Sequence, residues 1–238
     1  MKRVQVEPHQ SVTGGVAAEW IPIKPKTDAA FLYGIIHHIL IECNWREICD
    51  VERLENDSNC PYLIGPNGYW MRDPKTRKPL IYDLEDQMPK PFDTNIQRPG
   101  MEGKFIVSGV EIGADEDEWV HDKIEVTTSF QHLIEHIREY TPEWAEEQSD
   151  VPADRIRAVA TEFVSNACIG QTIEVEGEEM PFRPVAILLG KTVNNGWGGY
   201  NCCWARTMLL TLVGALEVPG GNVGSNVKSK FKHGVYSL

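Results

Sequence analysis

Residues 20–31 read Trp20-Ile-Pro-Ile-Lys-Pro-Lys-Thr-Asp-Ala-Ala-Phe31, and this stretch carries the clearest structural signal in the chain. It opens with an apolar run, but Pro22 and Pro25 remove backbone donors, so we expect an edge strand or an extended connector. A helix should then begin with Thr27 or Asp28 as its N-cap. Apolar side chains follow at helical spacing, at Ala29, Leu32, Ile35, Ile36, Ile39 and Leu40.

Upstream of this stretch, Arg3–Glu7 is typical of a short strand, because Val4 and Val6 alternate with polar neighbours and Pro8 ends the ladder. A carboxylate at the carboxyl end of a strand can accept hydrogen bonds from ribose hydroxyls, as in nucleotide-binding α/β units. Strands that end in Glu are also common without any ligand. Glu7 therefore has both a binding and a purely structural interpretation.

Between residues 56 and 109 the sequence pattern changes to short apolar runs separated by turn residues. Pro66-Asn67-Gly68 and Asp73–Thr76 are turn sequences, and the runs between them have the length of strands. These runs are Tyr62–Ile64, Tyr69–Met71 and Leu80–Tyr82. We expect an insertion of small hairpins that shapes a funnel or a partner surface, although none of its residues indicates a ligand.

The second half begins with three predicted helices. Ser129–Tyr140 has one apolar face, Thr141 and Pro142 are typical of a cap and first turn, and a third helix follows Pro152.

Residues 185–201 have the order strand, glycine-rich loop and helix start, which binds phosphate groups in many proteins. Val185–Leu189 is predicted to be a buried parallel strand, followed by the glycine-rich residues 194–201 and a helix from Cys202 to Val218. The segment lacks the spacing of both G-x-G-x-x-G and the P-loop. A mobile loop without a ligand is the simpler alternative.

Composition excludes several classes of protein. The net charge of -12 argues against a phosphate-backbone binder, so no nucleic-acid partner is expected. Six cysteines occur without a single C-x-x-C, which excludes zinc ribbons and ferredoxin-type clusters. No apolar run reaches about 18 residues, so no direct membrane insertion is expected.

Two pairs of histidines occur on predicted helices. His37 and His38 are adjacent on a helix and cannot chelate one ion together, so a surface or capping role is expected. His132 and His136 have the i, i+4 spacing of metal ligands, but no third ligand is visible nearby. A solvated helix face is the favoured interpretation, and a stand-alone metal-dependent enzyme is the competing one.

Several segments, in this order, resemble the catalytic subunits of the molybdopterin oxidoreductase superfamily of the dimethyl sulfoxide reductase type. The matching segments are VEPHQS (6–11), AAEWIPIKPKTDAAF (17–31), YTPEWAEEQSDVPADRIRAVATEFV (140–164), LLGK (188–191) with NNGWGG (194–199), and LVGALEVPGGNVG (212–224). The resemblance covers both halves of the chain.

The resemblance implies an α/β fold with parts of two Rossmann-like dinucleotide-binding lobes and a hairpin-rich insertion. Residues 1–145 would be the second half of one lobe, with the insertion at about 56–110. Residues 146–238 would be the start of the return into the second lobe. In this family two molybdopterin guanine dinucleotides surround one molybdenum or tungsten.

The resemblance also implies which residues contact this cofactor. Glu7, His9, Ser11, Lys26, Thr27 and Asp28 would contact the guanosine end of one dinucleotide, and Asn194 or Asn195 would lie near the pterin or pyrophosphate. No catalytic residue and no metal ligand is predicted. The family usually has Pro-Gly-Thr-Asp where this chain has Lys26 in place of Gly, so a positive φ would cost Lys26 about 1 kcal/mol unless the turn is built differently.

The family's cysteine motif for a 4Fe–4S cluster, its metal-ligating residue and its C-terminal domain have no counterpart in this sequence. We therefore expect a central fragment of a larger catalytic subunit, inactive alone, whose partners are the N- and C-terminal parts of that subunit. The family also implies an iron–sulfur electron-transfer subunit and a membrane anchor subunit as partners. The compartment, cytoplasmic or periplasmic, stays open.

Two functional hypotheses follow. The first is a molybdenum or tungsten oxidoreductase that performs two-electron redox chemistry or oxygen-atom transfer. Its hairpin-rich segment resembles members that act on organic or acyl-CoA-type substrates, such as phenylacetyl-CoA oxidoreductases and tungsten acetylene hydratases, and reductases of thiosulfate, polysulfide or arsenic oxyanions are the alternative. The second hypothesis is a catalytically inactive, truncated remnant or an assembly module.

Overall fold

The computed structural model describes residues 2–112, 120–121, 123–222, 228–231 and 234–237. The chain divides into two compact units: unit 1 comprises Met1–Asp50 and Ile137–Leu238, and unit 2 comprises Val51–His136. Helices and small sheets occur together, which confirms the α/β class at this level. The two Rossmann-like lobes and their boundaries stay a prediction.

Short helices and short strands follow one another along the described residues. The helices are α1 (Val12–Gly15), α2 (Asp28–His37), α3 (Trp45–Ile48), α4 (Val51–Asn56), α5 (Ser129–Ile137), α6 (Pro142–Ser149), α7 (Ala153–Ser165), α8 (Lys191–Asn194) and α9 (Gly199–Leu212). A π-helical turn, His38–Glu42, continues α2. The strands are β1 (Val4–Val6), β2 (Glu19–Ile21), β3 (Leu63–Ile64), β4 (Met71–Arg72), β5 (Leu80–Asp83), β6 (Met88–Pro91), β7 (Lys104–Val107), β8 (Val110–Ile112), β9 (Val120–His121), β10 (Ile124–Thr128), β11 (Thr172–Val175), β12 (Glu178–Pro181), β13 (Lys228–Phe231) and β14 (Gly234–Ser237).

The parallel pair β1–β2 confirms the strand predicted at Arg3–Glu7. For residues 20–23, where an edge strand and an extended connector were the alternatives, it favours the strand, which is Glu19–Ile21. The register places Val4 opposite Glu19 and Val6 opposite Ile21. Pro22 follows β2 directly and ends the ladder, as its missing N–H requires. Because the strands are parallel, the residues that follow β1 and β2 lie at the same edge of the sheet.

Helix α2 is the centre of unit 1. Five of the six predicted apolar positions, from Leu32 to Leu40, are buried, and Ala29 is half-buried. Burial extends around most of the helix, since Ala30, Phe31 and Gly34 are buried as well. The helix packs against α6, α7 and α9. It is therefore a central helix rather than an amphipathic surface helix.

The helices after residue 140 form as predicted. Thr141 Oγ1 accepts a hydrogen bond from Trp144 N at 3.1 Å, and Pro142 occupies the first turn of α6. Helix α7 buries Ile156 and Ala160 completely.

Unit 2 consists mainly of antiparallel pairs, which confirms the expected hairpins. Its sheets have the orders β3-β10-β7, β4-β8-β9 and β5-β6. A small core fills it, with Leu63, Met71, Leu80, Val107, Val110 and Val126. Helix α5 buries Phe130, Leu133 and Ile134, as its apolar face predicted.

Two predictions for residues 185–218 are wrong. Val185–Leu189 is extended but pairs with no strand in the part of the chain that the structure describes, and Leu188 is 81% exposed. A side chain replaces the strand partner: Asn222 Oδ1 accepts from Ile187 N at 2.9 Å, and Asn222 Nδ2 donates to Ile187 O at 3.1 Å. The following helix begins at Gly199 instead of Cys202 and ends at Leu212.

The start of the extended segment is fixed by a buried ion pair. Arg183 donates to Asp50 Oδ2 from Nε at 3.0 Å and from a terminal nitrogen at 2.6 Å. Both side chains are nearly inaccessible to solvent. The end of the resembling segment 212–224, at residues 223 and 224, lies outside the described residues. Within the described ranges, no helix has the length and apolar character needed to cross a bilayer.

Candidate functional site

Glu7 lies directly after β1 and is anchored to β2 through its backbone. Glu7 N donates to Ile21 O at 3.2 Å, and Trp20 Nε1 donates to Glu7 O at 3.1 Å. These two bonds fix where the Glu7 side chain leaves the sheet. Its carboxylate therefore lies at the carboxyl edge of the β1–β2 pair, the edge at which β2 also ends.

The carboxylate of Glu7 is bound by Ser11. Ser11 N donates to Oε1 at 2.7 Å, and Ser11 Oγ lies 2.8 Å from the same oxygen. The Ser11 backbone bond, with its hydroxyl, lowers the pKa of Glu7, because both donors favour the ionised form. A Cβ at Gly14 would lie only 2.4 Å from Glu7 Oε1, so a larger residue there would displace the Glu7 carboxylate from its present position. Glu7 and Ser11 thus organise the loop in addition to any binding role.

Ser11 also caps α1, since its Oγ accepts from Gly14 N at 3.3 Å. His9 lies between Glu7 and Ser11 in the chain and is exposed. The structure therefore brings Glu7 and Ser11 into contact and leaves His9 facing solvent at the same edge.

The turn Lys24–Asp28 follows β2. Lys24 N donates to Ser149 O at 2.9 Å, which ties the turn to the end of α6. Lys26 adopts a φ of 72°, the left-handed conformation in which the family has glycine. This confirms the positive φ considered for Lys26.

Thr27 occupies the position before α2 but does not cap it through its side chain. Its Oγ1 donates to Lys24 O at 2.7 Å, and no helix N–H bonds to it. The predicted N-cap position of Thr27 is therefore confirmed, but its side chain makes no capping hydrogen bond, because the hydroxyl closes the preceding turn instead. Asp28 is the acidic residue of the first turn, where a carboxylate interacts favourably with the helix dipole.

The start of α9 lies beside the start of α2. Burial, followed by the nearby charge of Asp28, raises the pKa of the Cys202 thiol to about 11. Cys203, the next residue, donates from Sγ to Asn194 Oδ1 at 3.5 Å. Asp28 and Asn194, two predicted site residues from opposite halves of the chain, are thus both neighbours of the first turn of α9.

The loop before α9 is highly exposed. Asn194 and Asn195 are exposed, Trp197 is 96% exposed and Tyr200 is 83% exposed. Exposed aromatic rings in a glycine-rich loop are a signal for stacking on a flat ligand, whereas only the asparagines were predicted from the sequence. Helix α9 also carries Arg206, whose Nε is buried without a hydrogen-bond partner among the described residues. Nothing in the sequence pattern distinguished Arg206 from a surface arginine.

The two histidine pairs differ in burial. His132 and His136 are exposed on α5, as predicted, and the described residues contain no group of three potential metal ligands. His37, for which a surface or capping role was expected, is buried, and its Nδ1 lies 2.9 Å from the carbonyl oxygen of Ile137, the last residue of α5. The surface prediction is wrong for His37 because α2 is buried around most of its circumference.

Comparison with known proteins places these features in a family. No family model matches the sequence. The chain is 27% identical to a sulfite dehydrogenase subunit of Allochromatium vinosum over 92% of this chain and 23% of that protein. It is 34% identical to the thiosulfate reductase molybdopterin-containing subunit PhsA of Salmonella typhimurium over 36% of this chain and 11% of that protein.

A comparison of folds finds acetylene hydratase from Pelobacter acetylenicus, with a TM-score of 0.47 and 17% identity over 90% of this chain and 17% of that protein. The chain thus spans less than a quarter of the length of the curated relatives it matches. Both relatives are of the type that the sequence segments resemble. These similarities confirm the resemblance of the chain to the molybdopterin oxidoreductase superfamily, of the dimethyl sulfoxide reductase type.

Proposed function

We propose that this chain is part of the catalytic subunit of a molybdopterin-dependent oxidoreductase and grips the guanosine end of a molybdopterin guanine dinucleotide. The observation that carries the proposal is the parallel pairing of β1 with β2, because Glu7 and the turn Lys26–Asp28 both follow the carboxyl ends of these strands. When bound, the molybdenum or tungsten centre supplies two-electron redox chemistry or oxygen-atom transfer. The residues of this chain bind and orient the dinucleotide.

The residues at this edge fit a guanine nucleotide. Guanine presents N–H donors, and a carboxylate such as Asp28 is an acceptor with room for two of them. Glu7 is ionised and retains acceptor capacity beyond its bonds to Ser11, which suits ribose hydroxyls. The ammonium group of Lys26, on an exposed turn, suits a phosphate.

The start of α9 fits the other end of such a ligand. Asn194 and Asn195 offer amide donors and acceptors for a pterin ring, and Trp197 and Tyr200 offer exposed flat faces. The unpartnered Nε of Arg206 is a donor that a phosphate oxygen would satisfy. Under this proposal the β1–β2 pair with α2 belongs to one Rossmann-like lobe, and residues 146–238 lead into the second.

The remaining parts of the active centre would come from further polypeptide. The curated relatives are more than four times as long as the segment that this chain matches. We propose that such additional regions supply the metal ligand and a 4Fe–4S cluster. The electron-transfer and membrane anchor subunits stay predictions.

For the substrate, we propose a sulfur oxyanion. The two curated relatives are a sulfite dehydrogenase subunit and a thiosulfate reductase subunit, and this favours the class that was the alternative in the sequence-based prediction. The preference for organic or acyl-CoA-type substrates stays an untested prediction.

The proposal is tested by nucleotide binding to the chain itself. Guanosine diphosphate represents one end of the cofactor, and adenosine diphosphate differs in lacking the guanine donors that face a carboxylate. We expect tighter binding of guanosine diphosphate, and we expect Asp28→Ala to reduce that preference about ten-fold or more, since it removes charge-assisted hydrogen bonds. Isothermal titration calorimetry measures both affinities.

Asp154→Ala is the matched control, because Asp154 is also an acidic first-turn residue of a helix but is exposed at α7. It should leave the preference unchanged. Equal affinities for the two nucleotides, or no binding of either, would contradict the proposal and favour an assembly module without a cofactor site.

A further inference from the structure

The π-helical turn His38–Glu42 and the residue after it bring a thiol, an imidazole and a carboxylate together. His38 Nε2 lies 3.6 Å from Cys43 Sγ, and His38 Nδ1 lies 2.6 Å from Glu42 Oε2. The wider π-helical spacing makes this possible, and such turns frequently occur at functional sites. All three side chains are partly accessible to solvent.

The carboxylate of Glu42 is held ionised by α7. Arg157 donates to Glu42 Oε2 from Nε at 2.8 Å and to Oε1 from a terminal nitrogen at 2.6 Å. These bonds lower the pKa of Glu42 to about 2. An ionised carboxylate only accepts hydrogen bonds, so the neutral imidazole of His38 must carry its proton on Nδ1.

With Nδ1 protonated, Nε2 of His38 is an acceptor. Thr161 Oγ1 lies 3.2 Å from Nε2, but the Thr161 hydroxyl donates its single proton to Arg157 O at 2.9 Å. The Cys43 thiol is therefore the group that can donate to Nε2. Once Nε2 has gained a proton, Thr161 Oγ1 can accept a hydrogen bond from it.

We propose that Cys43 is a nucleophilic thiol for exchange with low-molecular-weight disulfides, with His38 as its general base and with Glu42 and Arg157 as positioning residues. Nucleophile, base and orienting carboxylate in this order are the arrangement that activates a weak nucleophile. This site is separate from the proposed nucleotide-binding edge.

The exchange conserves atoms and electrons. His38 Nε2 takes the thiol proton while Cys43 Sγ attacks one sulfur of the small disulfide, so that a new S–S bond forms and the old S–S bond breaks. The leaving half departs as a thiolate and receives the proton from His38. The sulfur of Cys43 rises from the thiol to the disulfide oxidation level, and the leaving sulfur falls from the disulfide to the thiol level, so no further oxidant or reductant is needed.

The surroundings favour a general base over a resting thiolate. Burial raises the pKa of Cys43, and the charge of Glu42 raises it further, so the thiol is protonated at neutral pH. The charged groups that face this cluster are Glu42 from the turn, Arg157 from α7 and Glu143 from α6. Arg157 is shared by the two carboxylates, and Asp154 lies 3.8 Å from it.

The test follows the reaction of the intact chain with bis(2-hydroxyethyl) disulfide. Trypsin releases Cys43 on residues 27–46 and Cys168 on residues 158–191, each as the only cysteine of its peptide, so mass spectrometry measures the two rates separately. Cys168 is the matched control, since it is also partly exposed and has no histidine partner within the described ranges. At pH 7 we expect Cys43 to react about ten-fold faster or more.

The pH profile separates base catalysis from simple exposure. The rate for Cys43 should depend less steeply on pH than the rate for Cys168, because a thiol deprotonated by a neighbouring base during attack does not have to be ionised beforehand, whereas uncatalysed exchange requires the free thiolate. His38→Gln should bring Cys43 down to the rate of Cys168. A rate for Cys43 no higher than that of Cys168, parallel pH profiles in the unmodified chain, or a folded His38→Gln variant with the original rate would overturn the proposal.

Discussion

Lys26 shows how a single departure from the family pattern is accommodated. Its φ of 72° costs a residue with a Cβ about 1 kcal/mol more than it costs glycine. Part of the gain from glycine is offset by the larger conformational freedom of the unfolded chain. We expect Lys26→Gly to raise the free energy of unfolding by up to about 1 kcal/mol, as measured by urea denaturation.

Lys24→Gly is the control two residues earlier, because Lys24 does not have a positive φ. It should lower the free energy of unfolding, since glycine there brings only the entropic cost. If both substitutions lower stability equally, the backbone strain assigned to Lys26 is absent.

Asp83 is a buried carboxylate of unit 2 that makes stability dependent on pH. It accepts hydrogen bonds from Lys90 Nζ at 2.7 Å, Gln97 N at 2.9 Å, Glu85 N at 3.0 Å and Arg98 N at 3.2 Å. Lys90 above all, followed by these backbone donors, lowers the pKa of Asp83. The folded state therefore binds this proton more weakly than the unfolded chain does.

The contribution of Asp83 is present above the unfolded pKa of about 4 and is lost as the pH falls towards the lower pKa of the folded state. We expect the urea concentration at the unfolding midpoint to decrease when the pH is lowered below about 4. Asp83→Asn should lower this midpoint at pH 7 and should make its decrease at acid pH smaller. Asp86→Asn, at an exposed carboxylate that also contacts Lys90, should keep most of the decline. An unchanged acid slope in Asp83→Asn would contradict this role.

At the scale of elements, close packing around α2 limits the size of the side chains that the helix can carry. A Cβ on Gly34 would lie 2.8 Å from Ala145 Cβ and 3.1 Å from Ile156 Cγ2. In a helix, alanine is more favourable than glycine by about 1 kcal/mol, but overpacking of the core costs about 1–3 kcal/mol. We expect Gly34→Ala to lower the free energy of unfolding by about 1 kcal/mol, measured by urea denaturation.

Gly15→Ala in α1 is the matched control, because its Cβ would meet no atom within 4 Å. It should be neutral or slightly stabilising. A stabilising Gly34→Ala would mean that α2 and α6 can move apart at little cost.

Short sequence patterns correctly predicted those helices and strands whose formation depends mainly on neighbouring residues. The alternation around Val4, the prolines after Trp20 and the cap at Thr141 all lead to the observed elements. The prediction for Val185–Leu189 failed because an apolar run becomes a strand only where a neighbouring strand supplies hydrogen bonds, and Asn222 supplies them instead. The buried position of His37 likewise depends on a residue distant in sequence, since its Nδ1 lies 2.9 Å from Ile137 O.

The candidate site was predictable to the extent that its residues follow strands. Glu7 and Asp28 stand after β1 and β2, and a parallel pair brings such positions to one edge. The contact of Cys203 with Asn194 could not be predicted, because it depends on how α8 packs against α9. The burial of Arg206 Nε without a partner among the described residues leaves no local sequence pattern either.

For the whole molecule, the chain leaves unit 1 after Asp50 and returns to it at Ile137. Turn-rich sequence between residues 56 and 109 predicted most of the excursion. Its later part was missed because β10 pairs with β3 and β7, which are distant in sequence. Loop-closing pairs of this kind leave no local pattern.

The edge of β1 and β2 as a guanine dinucleotide site is tested most directly by nuclear magnetic resonance of the isotope-labelled chain during titration with guanosine diphosphate. We predict shifts of the backbone amides of Glu7, Ser11, Thr27 and Asp28, with much smaller shifts for the same concentration of adenosine diphosphate. Shifts confined to unit 2, or equal shifts with both nucleotides, would contradict this assignment.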